Sequence, residues 1–122
     1  MQRSTEKLLT AAARLASEAD LLSFETPKIH SVYNPLIYAW KAHQAFISRY
    51  GTGRKDVVFV GMNPGPWGMA QTGVPFGEVN LVREWLQIDE PIDTPSEVQP
   101  KRPVEGFACK RSVVSGSRLW SL

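Results

Sequence analysis

Residues 61–77 place the strongest constraint on how this chain can fold. The run GMNPGPWGMAQTGVPFG combines five glycines and three prolines with two methionines, one tryptophan and one phenylalanine, and it has no charged residue. Proline reduces the freedom of the backbone, whereas glycine lets backbone amides come close to another group. The run is therefore expected to form a stiff, uncharged and half-apolar loop.

The residues before this loop predict a buried strand. Residues 57–60, VVFV, are continuous, β-branched or aromatic, and do not alternate with polar residues. Such a run is typical of a strand buried on both faces, as in the central parallel sheet of an α/β domain. The loop would then leave the carboxyl end of the strand, where open α/β sheets usually bind their ligands.

The spacing of apolar residues predicts three helices around this unit. The first covers residues 4–24, the second runs from Pro35 to Tyr50, and the third lies within residues 78–88. Residues 112–122 are expected to open another structured segment. One strand cannot form a sheet, since an isolated strand is marginal in water. Residues 1–122 are therefore interpreted as a single domain that is cut short.

Composition excludes several classes of protein. The chain has 122 residues, of which 43% are hydrophobic and 21% are charged, so a soluble globular domain is expected. It lacks an apolar run long enough to span a membrane, and its one cysteine, Cys109, allows no disulfide framework. A reducing, cytoplasmic compartment is the expected location.

Motifs for metals and phosphate cofactors are also missing. His30 and His43 have no partner at metal-ligand spacing, so no metal is expected. The loop has neither the lysine of a phosphate-binding P-loop nor a G-x-G-x-x-G fingerprint, and no helix is expected to begin among its glycines. No cofactor is predicted.

Charge is distributed unevenly, although the net charge is only +2. Residues 78–97 hold six acidic residues and one basic residue, and residues 101–122 reverse the balance with five basic residues and one acidic residue. The basic segment could face phosphate groups, and it could equally be a solvated surface. The candidate DNA-binding residues are Lys101, Arg102, Lys110 and Arg111.

The side chains of the loop fit a pocket for a flat, neutral ligand that forms hydrogen bonds. Asn63 can donate and accept hydrogen bonds, while Trp67 and Phe76 offer faces for stacking. A nucleobase meets these requirements. The composition alone equally allows a tight connector whose aromatic residues fill the core.

Four segments together resemble the single-strand-selective monofunctional uracil-DNA glycosylases. The longest is GMNPGPWGMAQTGVPFGEV, which is similar to the first active-site motif of that family, and YNPLIYAW, PKRPVEG and SGSRLW follow the family's order. The similarity extends from about Tyr33 to the end of the chain and suggests the N-terminal half of such a protein. It implies an α/β fold with a central, mainly parallel sheet between helices.

The resemblance also implies a reaction and residues for it. Glycosylases of this class flip the target nucleotide out of the helix, and water then breaks the bond between base and sugar. Asn63 corresponds to the residue that positions the water, and Phe76 to the one that stacks on the base. The walls of the pocket correspond to Met62, Gly65 and Met69. No lysine attacks the sugar, so the product would be an abasic site in an uncut strand.

Two parts of the family's site have no counterpart in this sequence. These are a later asparagine that binds the uracil edge and a histidine motif that stabilises the leaving anion; neither His30 nor His43 matches that motif. Trp67 stands where many members have phenylalanine, and it is expected to support the loop.

The expected function is therefore base-excision repair of uracil and 5-hydroxymethyluracil-like bases. Single- or double-stranded DNA containing uracil is the expected partner, and a complete protein would be a monomer, nucleoid-associated or nuclear according to its source. The alternatives are an inactive remnant with weak, salt-sensitive DNA binding and an interaction module whose loop is only a connector.

Overall fold

A computed structural model describes residues 2–122 as a set of helices joined by long loops. Among these residues, no helix is both long enough and apolar enough to cross a membrane. A 3₁₀ turn, Gly106–Ala108, precedes the last helix. The helices are α1 Gln2–Ala19, α2 Pro35–Tyr38, α3 Trp40–Tyr50, α4 Met69–Thr72, α5 Val79–Glu84 and α6 Val114–Trp120.

The first two predicted helices are present with changed limits. Helix α1 ends at Ala19, five residues before the predicted end at residue 24, and it packs against α2 and α3. The predicted second helix is divided at Ala39, whose φ of −113° and ψ of 27° interrupt it between α2 and α3. The Asn34 side-chain amide donates to the Ala16 carbonyl at 2.9 Å and thereby joins the start of α2 to α1.

The predicted strand at residues 57–60 is not present in the part of the chain that the structure describes. These four side chains are between 62% and 88% exposed, and their backbone belongs to no strand. The one β-type pairing among residues 2–122 is an isolated antiparallel bridge between Gln99 and Arg102. A run of β-branched residues indicates that a segment favours the extended conformation, but a strand also needs a neighbouring strand to pair with its backbone hydrogen-bonding groups. The described residues supply no such neighbour, so a central sheet is not shown.

The loop itself contains a helix, which corrects the expectation that none begins among its glycines. Helix α4 follows Gly68 directly and ends at Thr72, and it is capped by Gly73, which has a φ of +74°. A Cβ atom on Gly73 would lie 2.7 Å from the Ala39 carbonyl oxygen and 2.8 Å from the Ala39 Cβ. Glycine is thus required twice at this position, for the left-handed backbone and for the close approach to the break between α2 and α3.

The hydrophobic core lies between α3, α5 and the end of the loop. Five buried residues form its centre, and aromatic side chains from α3, the 3₁₀ turn and α6 pack around them. Phe46 of α3 and Trp120 of α6 meet edge to face, with ring centroids 6.3 Å apart and an interplanar angle of 76°. The last helix is therefore held by the core. The central residues are Ala42, Val74, Val82, Leu86 and Ile88.

Candidate active site

A cavity of about 410 Å³ lies between the loop and the start of α6. Its size falls in the range of about 300–1,000 Å³ that is usual for small-molecule sites. All five residues that the sequence suggested for the base pocket line it, and none of its lining side chains is ionisable. The lining residues are Gly61, Met62, Asn63, Pro64, Gly65, Gly68, Met69, Pro75, Phe76, Val113 and Ser115.

Phe76 is held in a strained conformation at the wall of this cavity. Its φ is +54°, in the left-handed region that a bulky residue rarely adopts. The ring lies over Gly61, where a Cβ atom would be only 3.2 Å from the Phe76 Cζ. The Glu78 amide donates to the Phe76 carbonyl at 2.9 Å. A Cβ atom on Gly116 would overlap the same carbonyl, so α6 lies directly against the Phe76 backbone.

Thr72 and Glu78 hold the two sides of this strained residue. The Thr72 hydroxyl lies 3.0 Å from the Gly77 carbonyl, to which it can donate, and accepts from the Val74 amide at 3.3 Å. Glu78 is buried and caps α5, because one carboxylate oxygen accepts from the Asn80 amide and the other from the Leu81 amide, each at 3.0 Å. With both oxygens used as a helix cap, Glu78 is a structural residue and not a base for the cavity.

Gln71 is a second amide in the loop, and its role was not predicted from the sequence. It is 1% exposed. Its Nε2 donates to the carbonyls of Pro66 at 2.9 Å and Pro103 at 2.7 Å. Its Oε1 accepts from the amides of Glu105 at 2.7 Å and Gly106 at 3.0 Å. One buried side chain thus joins residues 66 and 71 of the loop to residues 103–106. The available signal in the sequence was an amide side chain in a loop that has no charged residue.

One side chain of α2 and one of α3 form hydrogen bonds with backbone carbonyls of the loop. The Tyr38 hydroxyl donates to the Ala70 carbonyl, and burial raises the pKa of Tyr38, so the donor proton is retained. His43 Nδ1 lies 2.8 Å from the Gly73 carbonyl oxygen, to which it donates. Burial lowers the pKa of His43 and so favours the neutral ring, whereas the hydrogen bond to Gly73 acts in the opposite direction and is the smaller effect.

Neither histidine is placed to serve the cavity. His43 is buried beneath the loop, and His30 is exposed beside the Ser31 hydroxyl at 3.1 Å. Within residues 2–122, no group of three or more histidine, cysteine or acidic side chains could hold a metal ion.

Asn63 and Met62 lie on the open side of the cavity. Met62 is fully exposed, and it continues the exposed run at residues 57–60. In the described part of the chain, the Asn63 side chain forms no hydrogen bond with protein and is exposed. Its amide is therefore available to a water molecule or a ligand.

The four candidate DNA-binding residues lie outside the cavity. Lys101, Arg102, Lys110 and Arg111 are all exposed. The two arginines contact the Trp67 ring, with their guanidinium carbons 5.9 Å and 4.5 Å from its centroid. Trp67 does not line the cavity, and its support of the loop stays a prediction.

Pro75, Val113 and Ser115 complete the cavity and were not predicted as site residues. Val113 closes the floor, because a Cβ atom on Gly68 would lie 2.8 Å from its Cγ1. Val113 and Ser115 come from a segment far along the chain from Gly68, and only packing brings them to the loop.

The chain is similar in sequence to mammalian DNA-repair proteins. It is 52% identical over 115 residues to the single-strand selective monofunctional uracil DNA glycosylase of the mouse. The matched region covers 94% of this chain and 41% of the mouse protein. The proteins of the same name from rat and cattle are each 51% identical over 115 residues, covering 41% and 42% of their lengths. No family model matches the chain.

Over nearly all of its residues, the chain is therefore similar to proteins named single-strand selective monofunctional uracil-DNA glycosylases. The similarity predicted from four short motifs is thereby confirmed. The chain spans about two fifths of the length of the curated relatives that it matches.

Proposed function

We propose that this chain carries the water-positioning and base-stacking part of a uracil-DNA glycosylase. The reaction is hydrolysis of the N-glycosidic bond of uracil, or of 5-hydroxymethyluracil-like bases, in DNA. The observation that carries the proposal is the uncharged cavity that brings Asn63 and Phe76 together. The names of its relatives supply the reaction class.

Asn63 orients the attacking water in this proposal. Its exposed amide has no protein hydrogen bond within the described residues, so it can hold a water molecule. The oxygen of that water forms a bond to C1′ while the C1′–N1 bond breaks, uracil leaves with the electron pair as an anion, and the extra proton of the water passes to solvent. A neutral amide is a poor base, and the cavity has no carboxylate. The activation barrier is therefore lowered mainly by groups outside Asn63 that stabilise the leaving uracil anion and the cationic sugar.

Phe76 provides the stacking face for the flipped base. Its backbone carbonyl is fixed by the Glu78 amide and by close contact with Gly116, so the ring is in place before a ligand arrives. A wall that is fixed in advance loses little entropy on binding. The cost is the strained backbone of Phe76, which the packing of α6 offsets.

The α/β fold is part of the same proposal. Residues 57–60 form the strand that leads into the loop when a neighbouring strand pairs with them. Support comes from their exposure, which leaves four apolar side chains and their backbone groups in water. Residues 1–122 are on this proposal one part of a single glycosylase domain.

A second function is favoured for the 122 residues acting alone. The cavity has no cationic or acidic group, and neither histidine reaches it. The group that stabilises the uracil anion would be missing, so this chain by itself would bind DNA weakly through its exposed basic residues without releasing a base.

The decisive experiment measures base release from single-stranded DNA that contains one uracil. Alkali converts each abasic site to a strand break, which a denaturing gel detects. The chain is assayed alone and together with the part of the mouse glycosylase that it does not match. We expect cleavage only in the combined sample.

Two variants make this experiment specific. Asn63→Ala should lower the rate about a hundred-fold, because the water loses its position. Asn80→Ala removes an exposed amide outside the cavity and should leave the rate unchanged. Absence of cleavage in the combined sample, or equal rates for both variants, would refute the enzymatic proposal; salt-sensitive binding without base release would favour the second function.

A further inference from the structure

Two guanidinium groups share one indole ring in the loop. Arg111 lies with its guanidinium carbon 4.5 Å from the Trp67 centroid, and Arg102 lies 5.9 Å from it. Both distances are within the range of about 6 Å in which a cation is attracted to the ring. Trp67 stands between Gly65 and Gly68, which both line the cavity.

The position of Arg102 is set by hydrogen bonds on both sides of it. The Tyr33 hydroxyl donates to the Arg102 carbonyl and accepts from the Gln99 amide, each at 2.7 Å. Directly after Arg102, the Pro103 carbonyl accepts from Gln71 at 2.7 Å, and Gln71 also binds the Pro66 carbonyl beside Trp67. Arg102 is therefore anchored next to the indole by its backbone.

The position of Arg111 is set by a different contact. Val113, two residues later, packs against the loop on both sides of Trp67. A Cβ atom on Gly65 would lie 3.4 Å from the Val113 Cγ2, and one on Gly68 would lie 2.8 Å from its Cγ1. Two separate segments of the chain thus each bring an arginine to the same ring.

Within the residues that the structure describes, these two positive charges have no acidic partner. Among residues 2–122, the only ion pair is Arg14 with Glu18 on α1, far along the chain from Trp67. Two like charges at one ring repel each other unless an anion lies between or beside them. The guanidinium that stacks on a ring face keeps its in-plane N–H groups for an acceptor. Of these donors, the structure uses one, from Arg102 to the Lys101 carbonyl at 3.1 Å.

We propose that Trp67, Arg102 and Arg111 form a binding site for one phosphodiester group of a DNA strand. The planar fork of arginine matches two phosphate oxygens, and the indole restricts where that fork can lie. The choice of DNA rests on the proposed function, because the loop that carries Trp67 also lines the base cavity. The site would hold the backbone of the strand whose base enters that cavity. Lys101 and Lys110 would contribute only general attraction.

The test uses a strand that has phosphates but no bases. A fluorescein-labelled chain of abasic tetrahydrofuran phosphates binds through its backbone alone, so it reports the phosphate site without the base cavity. Fluorescence anisotropy gives its affinity at several salt concentrations. We expect Arg102→Gln with Arg111→Gln to lower the affinity at least about ten-fold, as the loss of charge-assisted hydrogen bonds requires. The slope of log affinity against log salt should fall by about 0.7 for a lost phosphate contact.

The matched control is Lys101→Gln with Lys110→Gln, which removes the same charge from neighbouring exposed positions. It should lower the affinity no more than about three-fold. Trp67→Leu should lower it about two- to five-fold, since both cation–π contacts are lost, whereas Trp67→Phe keeps an aromatic face and should restore most of it. Far-UV circular dichroism of each variant checks that it is folded, and Trp67→Phe remains informative if Trp67→Leu is not.

Several results would overturn the proposal. These are equal losses for the arginine and lysine pairs, wild-type affinity in Trp67→Leu, or equally effective competition by polyglutamate, which would indicate a general anion surface. The outcome is separate from that of the base-release assay. Binding of the abasic strand without uracil release would refute the enzymatic proposal alone, and uracil release with unaffected arginine variants would refute the phosphate site alone.

Discussion

Residues 57–60 and residues 70–74 are separated by only nine residues, yet their surroundings are opposite. The first segment is apolar and lies in water, with side chains 62–88% exposed. The second contains Gln71 and Thr72, and no side chain in it is more than 5% exposed. Residues 70–74 are enclosed by α2, α3 and residues 103–106, whereas nothing in the described chain covers residues 57–60. Whether a side chain is buried therefore depends on which other segments pack against it. The composition of a segment describes its own side chains but not the segments that cover them.

The largest expected effect is the loss of the Gln71 amide. Gln71→Leu should destabilise the fold by about 3–5 kcal/mol, because two carbonyls and two amides of the loop and residues 103–106 lose their buried partner. Urea unfolding followed by far-UV circular dichroism measures it. Gln44→Leu, on the exposed side of α3, should change stability by less than about 0.5 kcal/mol. A similar loss of stability in both variants would show that the Gln71 side chain is not enclosed in solution.

Gly116→Ala tests the contact that holds Phe76. The new methyl group would overlap the Phe76 carbonyl and lie 2.8 Å from Val113 Cγ1, so we expect a loss of about 2 kcal/mol. Thermal unfolding of this variant is compared with that of Ser117→Ala in the same helix, which should lose less than about 1 kcal/mol. If alanine at position 116 is tolerated equally well, the strained wall of the cavity is not held by α6.

A pair of identical substitutions compares the two environments directly. Val82→Thr places a hydroxyl in the core, where the side chain is 0% exposed, and should cost about 1–2 kcal/mol. Val58→Thr makes the same change at a side chain that is 76% exposed and should cost less than about 0.5 kcal/mol. Urea midpoints at equal protein concentration distinguish them. An equal cost at both positions would mean that residues 57–60 are covered in solution.

The smallest expected effect concerns pH. Burial holds the pKa of His43 below its value in the unfolded chain, so the unfolded state binds more protons as the pH falls below about 6.5. Stability contributed by the neutral ring is therefore fully present above that pH and is lost as the pH falls toward the folded pKa. Unfolding free energies at pH 5 and pH 7.5 should differ less in His43→Gln than in His30→Gln. The same pH dependence in both variants would contradict this role for the His43 ring.

The helices and the members of the cavity were largely predictable from sequence. Apolar spacing and Asn34–Pro35 predicted α1 and the start of α2, since both signals are local. The motif around Asn63 and Phe76 predicted which residues of the loop would meet in the cavity. The break at Ala39 and the helix inside the loop were not predicted. Gly73, at the end of that helix, packs closely against Ala39, a contact between segments that are distant in sequence.

The sequence by itself determined the composition of the loop, the similarity of the chain to uracil-DNA glycosylases and the absence of charge around the cavity. Tertiary structure decided which polar groups became structural: Gln71 and Glu78 are buried and fully used, while Asn63 is left available. It also brought Val113 and Ser115 to the cavity and left residues 57–60 exposed. The physical reason is that local preference depends on neighbours in the chain, whereas burial and hydrogen bonding depend on partners that only folding brings together.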